Sequence, residues 1–575
     1  MKLRKIYTSA GILLLSLFCI GDAVAKDAKF ETGVSFGSTG ADEPYSSLTD
    51  KDGNYYISGM CRGDVEFADG ATIKGRGGMD AVVVKYDAEL NFLWARAVGG
   101  SKDDTFERIA VTSAGDIVAV GKISGDITID GTDQTLSGTQ STDGCIVVYD
   151  KDGNYKSSAQ IKAAGASLCY SVAVDKSDNI FVTGSTVGAT DFGNEKTVTI
   201  EGSNPGTFLA CYNNSLVCQW AIAGSSPVQS YGWAVNFDKE ENILLTGRFG
   251  TTFTITGTDG EALTTAVGSE SSQDTYVAKL SHEGVGQWIT YVTNSNRIDT
   301  RSIDSDSQGN VYIWGHCQSA VTPEGQSPLG FNGNFDSFLI KYSSAGAYLD
   351  GMNLGGSGRD EAKSLFVDAD DNIYVAGNVN GDGSKGGTAV NMNPRGESKD
   401  YTFKGHDGYV AKYNGSTWEL MQLEKTVTPD NANQHEVAWC VTMSPDYNKV
   451  YVTGYFNNGA TVFDGASLTL PFVRDYDIYT VLYSYTLMVK TKTLEPGVAN
   501  EPYYSNIVVD NVEGTAKFEI VSGALPDGIT LSEDGAFAGT PTKNGSYTFT
   551  VKISDDVSSI QKEYTLVIKS GEGCD

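Results

Sequence analysis

One pattern recurs seven times along this chain and restricts the fold more than anything else in the sequence. It reads Asp-x-x-(Gly/Asp)-Asn-(Ile/Val/Tyr)-Tyr-(Val/Ile)-x-Gly. Its closing glycines are Gly59, Gly121, Gly184, Gly247, Gly315, Gly377 and, in looser form, Gly454. Successive glycines stand 62, 63, 63, 68, 62 and 77 residues apart. A repeat of this length is one supersecondary unit that buries its apolar face against its neighbours, so the fold is an array of such units.

Each unit carries three further runs around the pattern. A short alternating apolar run precedes it, as in Ser171–Val174 and Ser364–Val367. A third run follows the glycine by 20 residues or more and usually opens with Asp, as at Asp80, Asp143, Asp274, Asp336 and Asp407. A fourth run comes after a tight turn and often carries tryptophan, at Trp94, Trp220, Trp288 and Trp418. Four short runs bounded by Asp, Asn and Gly predict a four-stranded antiparallel sheet. Seven such sheets predict an all-β, seven-bladed propeller. Residues 30–46 read as the end of a unit without its beginning, and the last unit, through 477–487, lacks a fourth run. The N-terminal strand is therefore expected to complete the seventh blade and remove two free sheet edges.

These units resemble the bacterial seven-bladed beta-propeller repeat often labelled SBBP, over roughly residues 30–488. The third unit departs from the repeat, with Gly206-Thr207 where others place Asp, and the seventh carries an insertion around Pro445–Lys449. The resemblance implies the fold and says almost nothing about function.

After Thr491 the repeat stops, and Leu494-Glu495-Pro496-Gly497 reads as a linker turn. Leu525, Pro526, Gly528, Leu531, Gly535, Gly539, Thr540, Pro541, Gly545, Tyr547, Phe549 and Val551 then resemble the signature of an Ig-like bacterial surface module of the cadherin-like superfamily, with Ile529 in place of one leucine. That resemblance implies a seven-strand β-sandwich, of a kind that serves as spacer or adhesive unit on exported proteins. The expected organisation is a signal peptide at 1–25, the propeller at 28–490, the Ig-like sandwich at 491–570 and a disordered tail at 571–575.

The N-terminal segment supports export. Lys2, Arg4 and Lys5 precede an apolar stretch from Gly11 to Ile20, and Ala23-Val24-Ala25 is a cleavage site of the A-x-A type. The stretch is too short to span a bilayer. Cys19 follows the bulky Phe18, which argues against lipoprotein processing. The protein is expected in the periplasm, on the cell surface or outside the cell, with no transmembrane segment in the mature chain. There are 42 basic and 72 acidic residues, a net charge of −30. Such a surface repels phosphate backbones and anionic lipids, so nucleic acid is not an expected partner.

Motifs for chemistry are sparse. The Asp-rich turns at 50–54, 150–154, 304–310 and 368–372 resemble the start of a calcium loop but lack its helices and closing glutamate. They read as turn caps. Calcium stays open as a cofactor, through these turns or Asp555-Asp556, and none is assigned. Cys211 and Cys218 flank a turn, and a two-residue loop at 214–215 would set them opposite one another as a disulfide, given suitable geometry. No C-x-x-C occurs. His282, His316, His406 and His435 lie apart in sequence and form no metal-ligand spacing. Gly33-Val34-Ser35-Phe36-Gly37 has the form G-x-S-x-G but falls in the proposed N-terminal strand and not on a strand-to-helix elbow. Trp94, Trp220, Trp288 and Trp418 read as packing between blades and Trp314 as core, whereas Trp233 and Trp439 fall outside the repeated position.

With no catalytic, cofactor-binding or metal residues assigned, the expected function is a non-catalytic binding or scaffold protein of the bacterial envelope or exterior. It would engage a protein or glycan through propeller loops, with the inserts at 378–404 and 320–334 as contact loops. The alternatives are a polysaccharide-active hydrolase or lyase, using a carboxylate pair from different blades, and a purely structural spacer.

Overall fold

The computed structural model describes residues 28–570, except for 68, 133, 267–272, 381–387, 398–399, 404, 428–434, 458–461, 464–469, 471–472, 474, 486, 490, 492, 513 and 557–558. The signal-peptide and C-terminal-tail readings, with Cys19 and Cys574, lie outside these residues. There is no helix among the described residues, and so none long and apolar enough to cross a membrane.

The repeats build a seven-bladed β-propeller. Blade one shows the plan: Glu43–Thr49, Tyr55–Cys61, Asp80–Tyr86 and Phe92–Gly100 pair antiparallel in that order. The second and third strands are buried along their whole length, which is why the sequence there is a near-continuous apolar run. Corresponding first strands are Thr105–Val111, Ser167–Val174, Ser230–Phe237, Ile298–Ser305, Glu361–Val367 and Glu436–Met443. Each packs against the first strand of the next blade, and Glu436–Met443 packs against Glu43–Thr49. The N-terminal strand Lys29–Phe36 pairs antiparallel with Asp477–Ser484, with Gly33 opposite Val481, and so supplies blade seven with its fourth strand.

The Asp-rich turns at 50–54, 304–310 and 368–372 cap the connection between first and second strands, whereas the one at 150–154 caps that between the third and fourth strands of blade two. Asp50 accepts the N–H groups of Asp52 and Asn54 at 2.9 Å through one oxygen, and the Asn54 amide at 2.8 Å and the Tyr56 hydroxyl at 2.9 Å through the other. Asp175, Asp238, Asp306 and Asp368 repeat the arrangement. The repeat lysine of the third strand neutralises the same carboxylate, with Lys279 2.6 Å from Asp238 and Lys341 3.0 Å from Asp306. In blade three Cys211 takes the lysine position, and His282 of blade four reaches Asp175 at 2.6 Å instead. Among the described residues no three His, Cys, Asp or Glu side chains come together as a metal site.

The hairpin of Gly206–Tyr212 and Cys218–Ser225 corrects the expected disulfide. Its turn runs through Leu216 at φ 57°, so Cys218 pairs with Tyr212 and Cys211 with Trp220 across a register shift. The two cysteines are not opposite one another. They sit in different core clusters, and both are free, buried thiols. The loop is longer than two residues, which is what moves them apart.

The inserts between second and third strands behave as ribbons and not as free loops. Gly188–Asp191 pairs with the outer strand of blade two, Thr252–Thr256 with that of blade three, and Thr322–Pro323 with that of blade four. These ribbons cover sheet edges that would otherwise expose unpaired backbone groups. The insert at 320–334 is partly spent this way, and the one at 378–404 forms a ribbon of its own. In the second, Thr388–Asn391 pairs with Asp400–Phe403, and Val390, Met392 and Phe403 are buried with Met352 and Leu354 of blade five.

The C-terminal residues form a β-sandwich. Gly497–Val498, Ser559–Lys569, Gly545–Ser554 and Lys517–Gly523 make one sheet; Tyr503–Asn506, Ala536–Gly539 and Ile529–Leu531 make the other. Phe537, Phe549, Val551, Ile553, Leu566 and Ile568 fill the space between them. Leu487, just past the last propeller strand, joins this core, and the Asn511 amide donates to the Ser484 carbonyl.

Candidate binding site

Every first strand of the propeller is bulged at the same place. The residue opposite the repeat glycine is followed by one extra residue that has no partner on the second strand. A bulge bends the strand and re-aims a side chain. The seven bulged residues are Tyr45, Glu107, Tyr170, Trp233, Arg301, Lys363 and Trp439. All seven are half-buried and all seven line one central cavity of about 180 Å³. That is far more than one buried water needs. Arg108, Ser46, Ser47, Ser364 and Thr442 add polar groups to the wall.

The aromatic side chains form two clusters. Tyr170 and Trp233 lie with ring centres 4.4 Å apart, and Tyr231 stacks on Trp233 at 5.6 Å and 19°. Across the cavity wall, Tyr45 and Trp439 approach to 5.6 Å. From Trp439 the contacts continue outward through Tyr455 and Tyr476 to His435, which stacks on His406 at 4.0 Å. Cations sit on both clusters: the Arg301 guanidinium 5.2 Å and the Arg248 guanidinium 5.8 Å from the Trp233 ring centre, and Lys363 Nζ 4.2 Å from that of Trp439.

These cations differ in their partners. Lys363 pairs with Glu361 at 2.7 Å, and Arg248 with the fully buried Asp299 at 3.1 Å. Burial opposes ionisation of Asp299, yet His316, Arg301 and Arg248 hold its carboxyl well below the usual range. Arg108 and Arg301 form no ion pair among the described residues. Arg108 donates only to the Arg301 carbonyl, at 3.4 Å, so the two residues meet from blades two and five. Glu107 is the one carboxylate on the cavity wall among the described residues; burial raises its pKa, while Lys122, Arg301 and Arg108 oppose the rise. The Nε–H groups of Arg108 and Arg301 and the Nε1–H of Trp233 are buried without a hydrogen-bond acceptor. Leaving such a donor unsatisfied costs about 1–3 kcal/mol.

The residues singled out in the sequence lie mostly elsewhere. Trp94, Trp220 and Trp288 pack on Gly153, Gly284 and Gly346, each in a turn of the next blade. Trp418 is not in a fourth strand: it sits in the turn before one, at φ 60°. Trp314 is fully buried and donates to the Ala376 carbonyl. His316 is buried against Asp299, and Ser35 of the G-x-S-x-G segment lies in the N-terminal strand opposite Tyr479. The structure brings His406 and His435 together although they are distant in sequence. Sequence reading left Trp233 and Trp439 outside the repeated pattern, and missed the other five cavity positions. The signal was there: the bulged residue precedes the repeat glycine by fourteen residues in six blades and by fifteen in the seventh.

Comparison with known proteins bears on the modules. Residues 158–193 match a family model described as "Beta-propeller repeat", and residues 480–569 one described as "Putative Ig domain". The chain carries both modules. A WD repeat-containing protein, L264 of Acanthamoeba polyphaga mimivirus, described as uncharacterized, is 21% identical over 435 residues. That match covers 62% of this chain and only 31% of the relative's length. Among solved structures, a streptogramin B lyase is similar at 9% identity and a TM-score of 0.32, covering 78% of this chain and 97% of the lyase. The periplasmic gluconolactonase PpgL of Pseudomonas aeruginosa is similar at 10% identity and a TM-score of 0.33, covering 73% of this chain and 98% of that one. Likeness at this level says nothing of what the chain does.

Proposed function

We propose that this chain is an exported, non-catalytic binding protein of the bacterial envelope or exterior that holds its ligand in the central cavity of the propeller. The observation that carries this reading is the ring of bulged positions. Seven blades each aim one side chain at the same space, and the seven include four aromatic residues and two cations. A structural spacer has no use for a half-buried Tyr170–Trp233–Arg301 cluster with unsatisfied donors, since burial of apolar residues there would be more stabilising. The Ig-like module supports export and display by analogy. Extended loops gave the earlier expectation for the contact surface. Their use as ribbons shifts the proposal to the cavity.

Glu107 supports a second reading, a polysaccharide-cleaving enzyme. It is a carboxylate raised by burial on the wall of a cavity, as a general acid would be.

The test is retention of glycans and envelope proteins on immobilised residues 26–575, scored beside release of sugar product. Retention that is lost in Trp439→Ala, without product, is the expected result. Product release abolished in Glu107→Gln would overturn the non-catalytic reading. Retention indifferent to Trp439→Ala would overturn the cavity as the site.

A further inference from the structure

The cavity is lined by cations that its own carboxylates do not balance, in a protein whose net charge is −30. Lys363 and Arg248 are each matched by a partner carboxylate. Arg108 and Arg301 make no ion pair among the described residues, and the Arg108 guanidinium lies 3.4 Å from the Arg301 backbone carbonyl. Burial disfavours the charged form of Arg108, and the like charge of Arg301 adds to that cost. Glu107 offsets one of the two charges at most, which leaves the wall in need of an anion.

We infer that the ligand is an acidic sugar, a hexuronate unit of a polysaccharide, with its carboxylate held by Arg108 and Arg301. This deepens the proposed function and rests on the cavity being the binding site. Guanidinium groups match a planar carboxylate through paired N–H donors, and the two unsatisfied Nε–H groups face that need. The ring of the sugar has an apolar face that packs on Trp233 or Trp439, the two tryptophans of the cavity. Its hydroxyls find partners in the Trp233 Nε1–H and in the hydroxyl side chains of Ser46, Ser47 and Thr442. A plain aromatic acid would use the rings and the arginines but leave those hydroxyls unused. Cations in a cavity within an acidic surface also separate one uronate-bearing chain from neutral glycans.

The experiment is calorimetric titration of the purified chain with trigalacturonate and with its carboxyl-reduced, neutral counterpart. The acidic trimer is expected to bind at least tenfold more tightly. Arg301→Gln and Arg108→Gln are each expected to lower that affinity at least tenfold and to narrow the gap between the acidic and the neutral trimer. Arg301→Lys, which keeps the charge, is expected to retain part of the affinity; thermal melts establish that each variant is folded. Equal binding of both trimers, lost in Trp233→Ala, would overturn the acidic ligand and leave the cavity site standing. Acidic binding indifferent to both Trp233→Ala and Arg301→Gln would overturn the cavity itself. Binding of neither trimer would overturn the uronate assignment.

Discussion

The backbone carbonyl of Tyr231 occupies the space where a β-carbon on Gly247 would lie, well inside van der Waals contact. The same close approach joins Asp299 to Gly315 and Glu361 to Gly377, where the oxygen would be 2.5 Å from an added β-carbon. The repeat glycine is thus the mark of the bulge: its missing side chain admits the displaced carbonyl two residues before Trp233, Arg301 or Lys363. Gly247→Ala is expected to destabilise the protein by about 1–3 kcal/mol, as overpacked sites do, and to shift the emission of Trp233. Gly330→Ala, with open space around the position, is expected to change neither. Denaturant unfolding followed by fluorescence checks both.

The N-terminal strand gives a second prediction. Without residues 28–36, Asp477–Ser484 becomes an open edge, a template for pairing with other chains. A chain beginning after Phe36 is expected to melt at lower temperature and to self-associate. A synthetic Lys29–Phe36 peptide added in trans is expected to reverse both, by strand addition. Light scattering with and without the peptide is the measurement.

The cysteines give a third. Cys61, Cys145, Cys169, Cys211, Cys218, Cys317 and Cys440 are all buried and free, and burial pushes the Cys211 thiol up to about 12 and that of Cys218 to about 11. In folded protein these seven cysteines are expected to react slowly with an aromatic disulfide reagent, as read by peptide mapping. Under denaturing, non-reducing conditions Cys211 and Cys218 are both expected to label. A peptide map showing the two linked would contradict the register of that hairpin.

The stacked pair His406 and His435 gives a prediction of pH dependence. Burial holds both imidazoles below their ordinary value of 6.5, and His435 adds to the effect on His406, which falls to about 4. A base with a depressed folded-state pKa is held neutral by folding. Its contribution is fully present above the ordinary value and is lost as pH falls from 6.5 towards 4. His406→Phe preserves a stacking ring without the titration, so its melting temperature is expected to fall less over that interval than that of the parent chain. Melting curves at several pH values compare the two slopes.

The fold was legible because propeller blades advertise themselves in turn chemistry. Asp50, Asp238 and Asp306 cap identical turns, the lysines of the third strands answer them, and tryptophans such as Trp94 and Trp288 need a glycine turn in the next blade. The site was less legible for a related reason. The bulged positions hold Tyr, Glu, Tyr, Trp, Arg, Lys and Trp in turn, so aligning the repeats by similarity hides the positions at which they differ. Only the fixed spacing to the repeat glycine marks them. The inserts were not legible because length does not show pairing: Thr322–Pro323 pairs with the outer strand of the preceding blade, and Thr388–Asn391 pairs with Asp400–Phe403. The Cys211–Cys218 hairpin misled because loop length, set by the left-handed Leu216, is not visible in the spacing of the cysteines.

The most direct measurement of the central claim is a crystal structure of the chain grown with trigalacturonate. Density is expected for a sugar ring in the central cavity against Trp233 or Trp439, with its carboxylate at Arg301 and Arg108. Density confined to the ribbon at 388–403, or to the Ig-like module, with the cavity unchanged, would contradict it.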